Sequence, residues 1–96
     1  MDNVQIRLND AGYGAFYIMD DDEQLGEMEV SVEGNEMTVY HTEVSAKAEG
    51  KGLGKKLLSA MVDYVRTKQL TVKPLCPFVH AQFKRRPDDY ADIWKE

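Results

Sequence analysis

The 96-residue sequence predicts a single α+β domain over residues 1–96, built on a mixed sheet of about five strands. A chain of this length can bury one hydrophobic core. Apolar residues recur with a period of two as far as about residue 44, and they then change to the three-to-four spacing of a helix. We therefore expect four antiparallel strands, followed by a helix, a parallel strand and a short second helix.

The first four strands are predicted from apolar residues that alternate with polar ones. These positions are Val4, Ile6 and Leu8; the run from Ala15 to Met19; Met28, Val30 and Val32; and Met37 and Val39. Segments 9–12, 20–23 and 33–36 separate the strands and are rich in turn-forming residues. In the fourth strand, Met37, Val39, His41 and Glu43 occupy every second position, which predicts that they share one face of the sheet.

The second half of the chain is predicted to be mainly helical. The apolar residues that indicate a helix over about 52–68 are Leu53, Leu57, Met61, Val62 and Val65. Residues 70–73 form a short predicted strand that ends at Pro74, and the intervening helix allows it to run parallel to the fourth strand. Pro77 suits the first position of a helix over about 77–86, and Pro87 ends that helix. Apolar residues of the tail, Tyr90, Ile93 and Trp94, predict that it packs against the domain.

The net charge of −5 is unevenly distributed. Residues 1–49 contain 12 acidic and 2 basic residues, whereas residues 50–96 contain 5 acidic and 10 basic residues. The second half is therefore the part suited to a polyanionic ligand. The basic run from Lys84 to Arg86 is too small a footprint for nucleic acid, so we do not expect DNA or RNA as a partner.

The cysteine content and hydropathy predict a cytoplasmic protein. Cys76 is the only cysteine, which excludes an intrachain disulfide and fits a reducing compartment. We expect neither a membrane span nor a signal peptide, because no apolar run reaches 18–20 residues and no basic segment precedes one. We expect no metal, since Cys76, His41 and His80 lack the paired spacing of a zinc site. The sequence neither predicts nor excludes a homodimer.

A glycine-rich loop between the fourth strand and the first helix is the main candidate for ligand binding. Its residues are Glu49, Gly50, Lys51, Gly52, Leu53, Gly54, Lys55 and Lys56. Glycines allow close approach of backbone N–H groups, and a helix N-terminus attracts phosphate. A Walker A loop is excluded because Glu49 stands where glycine is needed, and the dinucleotide-binding pattern fails at Lys55. A plain turn with solvated lysines is the structural alternative.

The loop resembles the pyrophosphate loop of GNAT acyl-CoA-dependent N-acetyltransferases. The family pattern is Gln/Arg-x-x-Gly-x-Gly/Ala, and the segment from Glu49 to Gly54 matches both glycine positions, while Glu49 departs from the usual first residue. The chain is more closely similar to a small single-domain GNAT-like group. That group carries a His-Thr pair before the loop and a Pro-x-Cys-x-Phe segment after the next strand. The corresponding residues here are His41-Thr42-Glu43-Val44 and Pro74-Leu75-Cys76-Pro77-Phe78-Val79.

The resemblance covers about residues 3–90 and implies an N-acetyltransferase that binds acetyl-CoA and modifies an unknown amine acceptor. It implies that the glycine-rich loop holds the pyrophosphate of coenzyme A. It also implies that Val44 and the neighbouring strand backbone align the pantetheine arm where the fourth and fifth strands separate.

Three residues are candidates for catalysis in such a transferase: Cys76, His41 and Glu43. An amine must lose a proton before it attacks a carbonyl, so His41 or Glu43 could act as the general base in direct transfer. In a covalent route, His41 would activate Cys76, whose thiolate is favoured by a helix N-terminus and by Lys73. Each also has a purely structural interpretation: a hydrogen-bonded histidine, a solvated glutamate and a small buried cysteine.

A second function class is a non-catalytic module that binds CoA or a nucleotide, or a protein-interaction domain. Larger GNAT enzymes wall off the acceptor with helices between the first two strands, but only Asn9 to Tyr13 separates those strands here. The acceptor site is therefore expected to be open or completed by a partner. In the interaction-domain alternative, the acidic sheet half contacts a basic protein.

Overall fold

Five strands form one sheet in the order β1-β2-β3-β4-β5 in the computed structural model, which describes residues 4–95. The strands are β1 (Val4–Leu8), β2 (Tyr13–Asp20), β3 (Glu23–Glu33), β4 (Glu36–Val44) and β5 (Thr71–Pro74). The helices are α1 (Leu53–Lys68), α2 (Pro77–Arg85) and the short α3 (Pro87–Tyr90), and a 3-10 turn spans Ala46–Ala48. The predicted domain limits at residues 1 and 96 lie outside the described residues.

The sheet is mixed, which confirms the predicted α+β class. β1 to β4 pair antiparallel in chain order, and β4 pairs in parallel with β5. Short turns make this order possible. In the first, Asn9 Oδ1 accepts hydrogen bonds from the backbone N–H groups of Ala11 and Tyr13, at 2.9 and 3.0 Å. This connection has no room for a helix, whereas α1 carries the chain across to the parallel strand β5.

The helices pack on one face of the sheet, here called the inner face. The residues of α1 that are buried against it are Leu53, Leu57, Leu58, Met61, Val62 and Val65, which include all five predicted positions. Gly26 of β3 permits close packing, because a Cβ atom there would lie 3.3 Å from Leu57 Cδ1. The buried residues of the sheet and helices form a single core cluster. The opposite face, here called the outer face, carries the polar residues of β1, β2 and β3.

The tail packs against the domain, as predicted, and the structure shows that it does so along β5. Val72 N–H donates to Ile93 O at 2.7 Å, and Lys95 N–H donates to Val72 O at 3.0 Å. Ile93 is only 2% exposed. Arg66 of α1 also holds the tail, because its Nε donates to Asp92 Oδ2 at 2.9 Å. This hydrogen bond, followed by coulombic attraction to the guanidinium, lowers the pKa of Asp92 despite the opposing effect of desolvation.

A β-bulge in β4 overturns one prediction. Glu29 pairs with His41 and Val30 with Val39, so Tyr40 is an extra residue on β4. The bulge reverses the alternation of side chains that precedes it. Met37 and Val39 lie in the core, but His41 and Glu43 lie on the outer face; the prediction that these four residues share a face is therefore wrong.

Replacement of Ile93 by alanine tests whether the tail belongs to the folding unit. Ile93→Ala removes a fully packed side chain, so we expect a loss of about 2–4 kcal/mol in the free energy of unfolding, measured by urea denaturation. Asp92→Asn is the control, because it changes an exposed neighbour and should cost much less. Equal small losses in the two variants would contradict a docked tail.

Candidate functional site

β4 and β5, the last two strands in the sheet order, separate part of the way along β4. Their parallel pairing ends where Val39 faces Pro74, and the N–H of Cys76 then donates to Val39 O at 2.9 Å. β4 continues to Val44. Within residues 4–95, the side of β4 turned toward β5 has no strand partner between residues 40 and 44. Such an edge presents backbone donors and acceptors to an extended ligand.

The glycine-rich loop lies beside this opening and leads into α1. Gly50 and Gly52 have φ values of +84° and +74°, in the left-handed region that favours glycine. A Cβ atom at either position would meet nothing within 4 Å, so the backbone of the loop is accessible. Gly52 caps α1 without a side-chain hydrogen bond. The first N–H groups of a helix lack intrahelical acceptors, and together they form an anion site.

The side chains of the loop differ in their exposure. Lys51, Lys55 and Glu49 are exposed, and Lys56 is half-buried. Leu53 faces the core and is buried. Gly54 lies in the first turn of α1, where a Cβ atom would be 3.3 Å from Phe78 Cζ of α2. The loop can therefore offer a ligand its backbone N–H groups and the ammonium groups of Lys51 and Lys55. The buried Leu53 side chain fixes the loop to the core.

Cys76 lies at the junction of β5 and α2, at the N-cap position before Pro77. Its side chain is 1% exposed, and its Sγ lies 3.3 Å from Thr42 Oγ1 of β4. Thr42 pairs with Met28 of β3, whose side chain is buried, so Thr42 faces inward. The structure thus places Cys76 beside the opening between the strands, but inside the core.

His41 and Glu43 form a second pair, on the outer face. His41 Nε2 lies 3.9 Å from Glu43 Oε2, and the two side chains are 60% and 71% exposed. Val44, the remaining candidate on β4, is half-buried and pairs with Gly26 on the inner face. The sequence placed His41 and Cys76 together at one site; the structure instead pairs His41 with Glu43 and Cys76 with Thr42.

Thr42 and Tyr40 are the residues of this region to which sequence analysis gave no role. Thr42 belongs to the His-Thr pair that marks the resemblance, but its contact with Cys76 joins residues 34 apart in the chain and carries no local sequence signal. Tyr40 is the bulged residue, and its hydroxyl lies 2.7 Å from Ser31 Oγ of β3. An aromatic residue is common in regular strands, so the presence of Tyr40 does not indicate from sequence whether that position is bulged or paired.

The described residues also contain no cluster of three or more His, Cys, Asp or Glu side chains arranged to hold a metal ion. Between residues 4 and 95, no helix has both the length and the apolar character needed to cross a membrane. The loop at the start of α1 and the adjacent edge of β4 form the candidate ligand site, on the strength of their accessible backbone groups.

Comparison with known proteins finds relatives of nearly the whole chain. A family model described as GCN5-related N-acetyl-transferase matches residues 15–93. A GCN5-like N-acetyltransferase candidate from Staphylococcus aureus, solved by NMR, has a TM-score of 0.70 and 34% identity, covering 99% of this chain and 91% of its own. A search of curated proteins finds no match.

A more distant structure shares the fold. The ribosomal-protein-S18-alanine N-acetyltransferase from Escherichia coli has a TM-score of 0.62 and 18% identity, and the match covers 69% of this chain and 43% of that enzyme. The family model spans most of the sequence, and the similarity to the Staphylococcus aureus protein spans almost all of it. The chain therefore belongs to the GCN5-related N-acetyltransferase family.

Proposed function

We propose that this protein binds acetyl-CoA and transfers its acetyl group to an amine. The observation that carries the proposal is the position of the glycine-rich loop at the start of α1, directly beside the unpaired edge of β4. Membership of the GCN5-related family supports the same activity. The two features suit two parts of one ligand, a pyrophosphate and an extended chain that contains amides.

The loop fits a pyrophosphate in both shape and charge. Gly50 and Gly52 leave space where a side chain would stand, and the N-terminus of α1, whose N-cap Gly52 makes no side-chain hydrogen bond, supplies N–H donors. Lys51 and Lys55 add positive charge nearby. Glu49, which departs from the family pattern, is exposed and can direct its carboxylate into solvent.

The edge of β4 fits the pantetheine arm. Residues 40–44 present one row of backbone groups that neither β3 nor β5 uses. An extended chain with amide groups can pair with such a row as an added strand does. Val44 lies at the end of this edge nearest to the loop, so the arm would run along β4 from the loop toward Val39.

Acetyl-CoA supplies an activated thioester: the amine nitrogen bonds to the carbonyl carbon, the carbon–sulfur bond breaks, and the thiol leaves with a proton. The chain must remove the proton that the attacking nitrogen carries. His41 and Glu43 are the acid–base candidates on the outer face, and both are accessible to an acceptor arriving from solvent. We assign the proton transfer to this pair.

The geometry favours direct transfer over a route through Cys76. The thiol is buried and contacts Thr42, and the backbone of β4 separates it from the face that bears His41. His41 is therefore badly placed to activate it. We propose that the Cys76 side chain has a structural role, because it is buried and contacts Thr42. The backbone N–H of the same residue bonds to Val39 O and holds the start of α2 against β4.

Substitution of Gly52 tests the coenzyme site. Gly52→Ala puts a methyl group into the open space of the loop and disfavours its positive φ, so we expect the Kd for acetyl-CoA, measured by calorimetry, to rise at least about 10-fold, or about 1.4 kcal/mol. Gly34→Ala is the matched control, since Gly34 also has a positive φ and open surroundings but lies in the turn before β4. Equal effects, or no binding by the parent protein, would contradict the assignment.

Variants of the outer-face pair test the base. In His41→Ala/Glu43→Gln, we expect the rate of thiol release, with a lysine-containing peptide as acceptor, to fall on the order of 100-fold, because a general base contributes about that much. The Kd for acetyl-CoA should stay unchanged. Glu33→Gln is the control, because Glu33 is exposed at the far end of β3. Binding without turnover by the parent protein would instead indicate a non-catalytic module.

Two measurements on Cys76 separate direct from covalent transfer. We expect iodoacetamide to label the native thiol at least about 100-fold more slowly than the urea-unfolded thiol, because labelling requires local opening. Leu75→Cys/Cys76→Ser is the control, since Leu75 is 55% exposed and a thiol there should react rapidly. Cys76→Ser alone should retain turnover. A hydroxylamine-labile acetyl adduct on Cys76, detected by mass spectrometry, would overturn direct transfer.

A further inference from the structure

The outer face of the sheet contains a groove that includes none of the residues of the proposed coenzyme site. It has a volume of about 960 Å³ and crosses β1, β2 and β3. Within residues 4–95, the helices pack on the inner face and leave this groove open. Tyr13, Tyr17 and Met19 line it together with the carboxylates of Glu27 and Glu29.

The groove combines aromatic rings with carboxylates, which is the chemistry that binds cations. Arg7 provides an internal example, because its guanidinium carbon lies 5.6 Å from the centre of the Tyr17 ring. Glu27 Oε1 accepts a hydrogen bond from Gln24 at 2.8 Å. The side chain of the half-buried Glu29 forms no hydrogen bond or ion pair with any residue that the structure describes. An incoming ammonium or guanidinium group would satisfy it.

The groove leads to the candidate base. Glu29 pairs with His41 across β3 and β4, and Glu27 pairs with Glu43, so these four side chains share the outer face. A smaller pocket of about 210 Å³ continues the groove, since it shares Gln24 and Glu27 with it and is also lined by Glu43. With strands about 4.8 Å apart, the path from β1 to β4 is ~14 Å, or about four extended residues.

We propose that the outer groove docks a basic polypeptide segment and presents one of its lysine side chains to His41 and Glu43. Charge supports this occupant, because residues 1–49 contain 12 acidic and 2 basic residues. The length and openness of the groove suit several residues of an extended chain better than one small amine. Delivery of the lysine rests on the proposed acetyl transfer, whereas docking itself requires no acetyl-CoA.

Docking is tested without coenzyme, by NMR titration with an end-blocked hexapeptide of alternating lysine and alanine. We expect shift changes at the amides of Tyr17, Glu29 and His41 and none at Gly52. Glu27→Gln/Glu29→Gln should raise the Kd at least about 5-fold. The control Glu33→Gln/Asp88→Asn removes the same charge from exposed sites elsewhere and should leave the Kd unchanged. Equal weakening in both variants, or the absence of binding, overturns the proposal.

Two further readouts separate this proposal from the proposed function and from self-association. With acetyl-CoA and the peptide, Glu27→Gln/Glu29→Gln should raise KM and leave kcat unchanged, because the groove only positions the acceptor. Docking without any acetyl-CoA binding would refute acetyl transfer and retain the groove; the reverse result would refute the groove alone. Sedimentation that shows a dimer dispersed by the same variant would identify a second copy as the occupant and overturn the proposal.

Discussion

The bulge at Tyr40 determines where the candidate site residues lie. One extra residue on β4 turns Thr42 inward to meet Cys76 and turns His41 and Glu43 outward. Without it, alternation would continue from Val39 and place His41 in the core. The bulge also lies next to the point where the pairing of β4 with β5 ends, so it sets which side chains of β4 border the opening on each face. The proposed coenzyme and acceptor sites therefore meet at the same strand from opposite directions.

Much of the fold could be predicted from the sequence because its signals are local. Alternation, turn residues and the apolar stripe of α1 each act within a few residues, and Pro77 does begin α2. The bulge could not be predicted, because Tyr40 suits a regular strand equally well. The contact between Thr42 and Cys76 depends on that bulge. The outer groove depends on the register of three strands, and Glu29 looks like any exposed strand carboxylate until that register is known.

The uneven charge of the chain corresponds to two separate surfaces. The glycine-rich loop contributes Lys51 and Lys55 to one edge of the molecule, whereas Glu27 and Glu29 lie in the outer groove. Two ligands of opposite charge can thus approach without competing for one surface, and each is repelled from the site of the other. The net charge of −5 hides this arrangement, because it averages two surfaces of opposite charge.

The chain order of the sheet has a consequence for how the molecule folds. β1 to β4 are joined by short turns, so their pairing closes small loops at low entropic cost. The pairing of β4 with β5 must instead enclose the whole of α1, and it is the least local strand contact among the described residues. We expect the meander and α1 to form early and β5, with the tail bonded to it, to join last. The cleft between β4 and β5 would then be completed in the final folding step and would be the first region to open during partial unfolding.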